Sequence, residues 1–169
     1  TTLRIGKVSQ PLRDGNIGDK GAIAIANSLK QLTEPKYVKQ FRYSGHNNIG
    51  EKGAMAIADN LKQLTMLDIG NLPNNEAYNN IGDQGLIAIA NNLKHLTEFM
   101  VCTKISHIGS NNIGDEGAMA IATNLKQLSK LDIKHNKIGD DGALAIANSL
   151  ERLSRLEIGT AFQQLREQQ

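Results

Sequence analysis

The segment Leu128-Ser129-Lys130-Leu131-Asp132-Ile133-Lys134-His135-Asn136-Lys137-Ile138-Gly139-Asp140-Asp141-Gly142-Ala143-Leu144-Ala145-Ile146-Ala147 decides the fold, because it joins two hydrophobic periods in one short unit. Leu131 and Ile133 alternate as a short strand does. After Gly142 the period changes to that of an amphipathic helix, best seen in an earlier copy, where Ala22, Ile25, Ala26 and Leu29 stand at i, i+3, i+4 and i+7. Between the two lies Asp140, in the place of a helix N-cap, where a carboxylate accepts backbone N–H bonds and is favoured by the helix dipole. A helix of about three turns with so narrow an apolar stripe is marginal by itself in water. The unit must therefore stack on copies of itself.

The copies are present. Asn16-Ile17-Gly18-Asp19 returns as Asn48-Ile49-Gly50-Glu51, Asn80-Ile81-Gly82-Asp83, Asn112-Ile113-Gly114-Asp115 and Lys137-Ile138-Gly139-Asp140. The isoleucines are 32, 32, 32 and 25 residues apart, a period that signals a repeat architecture. Helices are predicted over the alanine-rich stretches Gly21 to Leu32, Gly53 to Leu64, Gly85 to Leu96, Gly117 to Leu128 and Gly142 to Leu153. Ten of the 16 glycines occupy two repeated positions, and small Gly21 and Ala22 let the helix start lie close against its neighbour. Strands are predicted at Leu67 and Ile69, Phe99 and Val101, Leu131 and Ile133, and Leu156 and Ile158. Leu3 and Ile5 fill the same slot, and Pro35 with Tyr37 fills it in the second unit, where Pro35 removes a ladder donor.

Written from Leu128, the unit is Leu-x-x-Leu-x-Ile-x-x-Asn-x-Ile. It resembles a leucine-rich repeat, with Leu128, Leu131, Ile133, Asn136 and Ile138 on the motif positions. The following Gly139-Asp140-Asp141-Gly142-Ala143 and Ala-Ile-Ala helix resemble the ribonuclease-inhibitor-like subclass. The resemblance runs from Leu3 to Gly159. It implies an α/β right-handed, horseshoe-like solenoid, with one short parallel strand and one helix per repeat, the sheet inside the curve and the helices outside. It also implies that the asparagine slot, filled by Asn47, Asn79, Asn111 and Asn136 but by Gly15 in the first unit, satisfies backbone groups along the turn. The expected organisation is a solenoid of five repeats over residues 1–159, followed by residues 160–169 as a C-terminal tail or partial cap.

Strand-to-strand spacing from Ile5 through Tyr37, Ile69, Val101 and Ile133 is 32 residues at every step, then 25 to Ile158. Four units thus carry the same excess, placed in the segments Gly6 to Asp14, Val38 to His46, Gly70 to Tyr78 and Cys102 to Ser110, against Lys134-His135 in the last. These segments differ while the helices are near copies, which points to recognition loops on a uniform frame. Phe41, Tyr43 and Tyr78 are three of the six aromatics and lie there, with Lys39 and Arg42 alongside; aromatics beside cations suit a protein interface. The alternative is that Val8, Leu12, Phe41, Leu72, Ile105 and Ile108 pack loop on loop. A second surface follows from strand alternation, which points Arg4, Lys36, Asp68, Met100, Asp132 and Glu157 into the curve, with Lys130 and Lys134 beside them. Mixed signs there suit a protein partner.

Composition narrows the function further. The 169 residues are 40% hydrophobic and 21% charged with a formal net charge of +2, which excludes a mainly disordered or collagen-like chain and leaves a weak footprint for nucleic acid. Only Cys102 is present, so no intrachain disulfide framework or cysteine zinc site is available. No run approaches the ~18 apolar residues of a membrane span. His46, His95, His107 and His135 do not pair with carboxylates at a metal spacing. The loop Lys137 to Gly142 lacks the Gly-Lys-Ser/Thr ending of a phosphate loop and the acid pattern of an EF-hand.

The reading is a non-enzymatic protein-protein interaction module with no cofactor and no metal, whose partner-binding residues are Lys36, Lys39, Phe41, Arg42, Tyr43, Asp68, Tyr78, Met100, Lys130 and Asp132. The alternatives are a regulator of a small GTPase, as in GTPase-activating proteins of this repeat subclass with Arg42 as the placed arginine, or the recognition fragment of a larger sensor or bacterial effector. A cytoplasmic setting is expected, or a host cytosol for an effector. Thr1 to Ile5 offers no polar cap, so self-association through that end is expected too.

Overall fold

A computed structural model describes residues 2–5, 17–30, 40–43, 48–70, 79–101 and 111–159. Strands and helices alternate along the chain: β1 (Thr2–Ile5), α1 (Gly18–Lys30), β2 (Gln40–Tyr43), α2 (Glu51–Asn60), β3 (Met66–Asp68), α3 (Gly82–Asn92), β4 (Glu98–Met100), α4 (Asp115–Asn124), β5 (Lys130–Asp132), α5 (Asp140–Ser149) and β6 (Arg155–Glu157). All six strands join one parallel sheet in chain order, β1-β2-β3-β4-β5-β6. Each helix packs against the next helix in sequence. The result is an α/β solenoid of one strand and one helix per turn. Helices pack about 8–10 Å apart and strands about 4.8 Å apart, so the stack bends with its sheet on the inside.

The core lies between the layers. Leu67, Phe99 and Leu131 from the strands, Ile69, Val101 and Ile133 just beyond them, and Ile57, Ile89 and Ile121 from the helices are all buried. α2, α3, α4 and α5 stop four residues before the leucines at which the sequence period predicts their ends. Leu61, Leu93, Leu125 and Leu150 donate the last helical N–H bonds, to Ile57, Ile89, Ile121 and Ile146. A tight turn follows, in which the Leu64 N–H bonds the Leu61 carbonyl at 3.1 Å. Both leucines of each turn enter the core, so the apolar count continues after the helix has ended.

The second strand is displaced from its expected place. Register pairs Phe41 with Leu3 on one side and Leu67 on the other, so Phe41 and not Tyr37 fills the core-row position. Phe41-Arg42-Tyr43 is an alternating, β-prone run, whereas Pro35 cannot donate to a ladder. Phe41 precedes Ile49 by eight residues, close to the seven between Leu131 and Ile138. The equal excess expected in four units therefore fails in the second, whose extra residues precede its strand. Pro35 to Tyr37 lie outside the described residues, as do 6–14, 71–78 and 102–110.

The helix caps also differ from expectation. Three of the acidic residues after the repeated glycine, Asp19, Asp83 and Asp115, reach across and cap the next helix. Asp19 Oδ1 accepts the N–H groups of Gly50 and Gly53, both at 2.8 Å. Asp83 Oδ1 takes those of Gly114 at 2.7 Å and Gly117 at 3.0 Å, and Asp115 Oδ1 takes those of Gly139 at 2.7 Å and Gly142 at 3.0 Å. Asp19, Asp83 and Asp115 lie in the first turn of their own helices, so their side chains extend sideways toward the neighbour's free N–H groups. Glycine is required where they arrive: a Cβ on Gly142 would stand 2.6 Å from Asp115 Oδ1 and 2.9 Å from the Ala118 Cβ.

Where no such aspartate precedes, the turn changes. Gly50, Gly114 and Gly139 are extended, with φ of −95°, −109° and −92°. Gly82, preceded by the longer Glu51, has φ of +63°, and Gly18, in the first unit, has +58°. The left-handed residue sits instead at Asn48 and Asn112 in two of the capped units, a residue type that tolerates that region.

Two further ladders fix the stack. Asn79 is fully buried; its Oδ1 accepts the Ile49 N–H of the preceding unit at 2.9 Å, and its Nδ2 donates to the Ile69 carbonyl at 2.8 Å. Asn136 does the same with the Ile113 N–H at 3.2 Å and the Ile133 carbonyl at 3.0 Å, and Asn111 donates to the Val101 carbonyl. The asparagine slot thus works as the resemblance implied at these three positions; Asn47 and Gly15 are outside the described residues. Ahead of the strands, the Thr65 carbonyl accepts the Thr97 N–H, the Thr97 carbonyl that of Ser129, and the Ser129 carbonyl that of Ser154, at 2.8, 2.8 and 2.9 Å.

Candidate functional site

Because the helices cover one face of the sheet, the other face presents two rows of side chains from positions that alternate with the core. Register aligns Asp68, Met100, Asp132 and Glu157 in one row and Met66, Glu98, Lys130 and Arg155 in the other. Arg42 and Gln40 occupy the same two register rows on β2. The alternate positions of β3, β4 and β5 hold Leu67, Phe99 and Leu131, all buried, and Phe41 and Leu156 share their register row. The rows facing away from the helices mix acid, base and methionine.

The C-terminal half of this face is an ion-pair network. Lys130 Nζ lies 2.8 Å from Glu98 Oε1. Lys134 Nζ is 3.5 Å from Asp132 Oδ2 and also pairs with Glu157, which in turn pairs with Arg155. Three acids meet three bases, so the network is neutral in sum, and such partly exposed pairs contribute little stability individually. Burial pushes the Asp132 carboxyl above its ordinary value, against the pull of Lys134. Hydrogen bonds from Lys134 and Arg155 hold Glu157 below the usual carboxylate range. Toward β3 and β4 the surface is less charged: Met66 is buried, Met100 and Asp68 are half-buried, and Asp68 Oδ1 accepts the Gly70 N–H at 3.2 Å.

Of the residues the sequence nominates, Asp68, Met100 and Asp132 share one row and Lys130 lies in the adjacent one. Arg42 takes the row position expected for Lys36, so that assignment is corrected: Phe41, Arg42 and Tyr43 form β2 and are not loop residues. The comparison with GTPase-activating proteins, which took Arg42 from a loop, loses that premise. Lys36, Lys39 and Tyr78 lie outside the described residues. Met66, Glu98 and Arg155 were missed, although each stands two residues before a nominated or row position and strand alternation alone would have found it. His95 is exposed on a turn. Among the described residues no group of three or more His, Cys, Asp or Glu side chains is placed to hold a metal ion, and no helix is long and apolar enough to cross a membrane.

The Leucine Rich repeat family model matches residues 12–26, 45–58, 77–90, 107–122 and 125–147, one match for each helix-bearing turn described above. No curated protein matches the chain.

Proposed function

We propose that this chain, a leucine-rich-repeat protein, binds a protein partner through the face of its sheet that the helices leave open. Repeats of this kind generally mediate protein–protein interaction. The observation that carries the reading is the confinement of chemical variety: core and turn positions repeat with small changes, while the two open rows run Met66, Glu98, Lys130, Arg155 and Asp68, Met100, Asp132, Glu157. Stacked hydrogen-bonded turns hold these side chains in place before association, so little ordering entropy is lost on binding.

The two halves of the face ask different things of a partner. Met100, half-buried on β4, offers flexible, polarizable surface for an apolar side chain. The paired Glu98/Lys130 and Asp132/Lys134/Glu157/Arg155 offer both signs within one neutral patch and select by geometry against partners of one charge. The ribonuclease-inhibitor-like subclass is consistent with the helix in every turn.

Affinity capture with the full chain, compared with Met100→Arg and with a variant whose segments 70–78 and 102–110 are shortened to the two residues of the last unit, tests the site. Loss of the captured protein with Met100→Arg and its retention after shortening supports the sheet face. The reverse pattern places recognition in the segments, and a chain that captures nothing overturns the reading.

A further inference from the structure

Two inter-turn contacts go together in this stack. Where an aspartate caps the start of α2 or α4, the left-handed residue is the asparagine two positions before the capped glycine, Asn48 with φ of +50° and Asn112 with +58°. In the same turns the intervening isoleucine gives its N–H to the asparagine of the next turn, Ile49 to Asn79 Oδ1 at 2.9 Å and Ile113 to Asn136 Oδ1 at 3.2 Å. The third turn lies between these two and departs from both. Its left-handed residue is Gly82, which begins α3 and gives to the Asn111 carbonyl, at 2.9 Å, the N–H that Gly50 and Gly114 give to an aspartate. Asn111 is 1% exposed and its Nδ2 holds the Val101 carbonyl, yet its Oδ1 is the one buried side-chain polar atom without a hydrogen-bond partner among the described residues.

The acid that precedes α3 is one methylene longer than the aspartates that cap. Glu51 is nevertheless in place beside the glycine pair: its Cα lies 3.4 Å from where a Cβ on Gly85 would stand. Its side chain is exposed. An unpaired acceptor inside the molecule is costly, and the neighbouring turns pair it in the conformation that accompanies a carboxylate at the two glycines. We propose that the third turn is a two-state element governed by Glu51. In the second state the Glu51 carboxylate folds over onto the Gly82 and Gly85 N–H groups, Gly82 becomes extended, Asn80 takes the left-handed conformation and the Ile81 N–H turns to Asn111 Oδ1. Asparagine tolerates the left-handed region, and a helix start favours a carboxylate. The observed state keeps Glu51 in water and spares its longer side chain the ordering that a cap demands. Each state thus holds an advantage that the other lacks, which is the condition for both to be populated. In the observed state the middle turn has neither the acid cap from the turn before nor the Asn111 Oδ1 contact with the turn after, so the switch sits at the centre of the array.

Nuclear magnetic resonance of the isotope-labelled full chain tests this. Relaxation dispersion, which reads exchange on the μs–ms scale, should find exchange at the Asn80, Ile81, Gly82 and Asn111 amides and none at Asn48, Ile49 and Gly50. The one-bond Cα–Hα coupling reports the sign of φ, and Asn48 and Asn112, both left-handed, serve as references within the same spectrum. Glu51→Asp should abolish the exchange and bring the Asn80 coupling to the value shared by Asn48 and Asn112. Glu51→Ala, which has no carboxylate to fold over, should abolish the exchange and leave Asn80 distinct from them. No exchange at the third turn of the parent, exchange that persists in Glu51→Ala, or an Asn80 coupling unmoved by Glu51→Asp overturns the proposal.

Discussion

Asp83→Ala removes one acceptor from two N–H groups that belong to the neighbouring helix, at 2.7 Å for Gly114 and 3.0 Å for Gly117. Losing an N-cap costs about 1–2 kcal/mol, and Gly117 is buried, so its N–H is not freely rehydrated. A total near 2 kcal/mol follows, which for a domain of this size lowers Tm by about 4–8 °C. Urea unfolding followed by far-UV circular dichroism reads the difference. Asp59→Ala is the control: that carboxylate is exposed and accepts the Asn92 side chain at 3.1 Å, so its loss should stay within about 0.5 kcal/mol. Glu51→Asp is the reciprocal change, because it shortens the acid that precedes α3 to the length used by Asp19, Asp83 and Asp115; it should stabilise by about 1 kcal/mol. Equal costs for Asp83→Ala and Asp59→Ala, or a destabilising Glu51→Asp, would refute the reasoning.

Asn79→Ala should cost about 3 kcal/mol by calorimetry, since it strands the Ile49 N–H and the Ile69 carbonyl beside a fully buried site; a cost under about 1 kcal/mol would show that other groups satisfy them. The sheet-face carboxylates predict opposite pH effects. Glu157 is depressed by its pairing with Lys134 and Arg155, so its contribution is present at neutral pH and is lost as the pH falls through its folded value; Glu157→Gln should be less stable than the parent at pH 7 and converge with it in acid. Asp132 is raised by burial, so its ionised form opposes folding above the folded value; Asp132→Asn should be the more stable at pH 7 and lose that advantage as the pH falls below the ordinary 3.8. Parallel pH curves for the two variants in denaturant titrations would contradict this.

Sequence periodicity made the solenoid legible because every core position recurs: Ile49, Ile81 and Ile113, or Leu67, Phe99 and Leu131, are buried for the same reason in each turn. It misplaced β2 because spacing was counted at a constant 32 residues, and a constant spacing gave Tyr37 more weight than the alternation of Phe41 and Tyr43. Extra residues before a strand look identical, in a count, to extra residues after it. The caps were misassigned for a different reason: Asp19, Asp83 and Asp115 have N-cap composition and position, but which helix a side chain serves depends on lateral packing that one unit cannot reveal. On the candidate surface, the row of Asp68, Met100 and Asp132 followed directly from alternation. The pairing of Lys134 with Glu157 did not, because it joins residues 23 positions apart through the closeness of two strands.

The forward reach of the aspartates gives the stack a direction. Each capped helix depends on the turn before it, and none depends on the turn after it for this contact. Removing turns from the C-terminal side leaves every remaining aspartate cap complete, while removing them from the N-terminal side uncaps α2, α4 or α5 when one of these becomes the first helix left. A chain emerging from a ribosome meets the favourable order, with Asp83 already in place when Gly114 and Gly117 arrive. The asparagine ladder points the other way, since Asn79 and Asn136 serve Ile49 and Ile113 of the preceding units, so each turn is tied to its neighbours by two contacts of opposite sense.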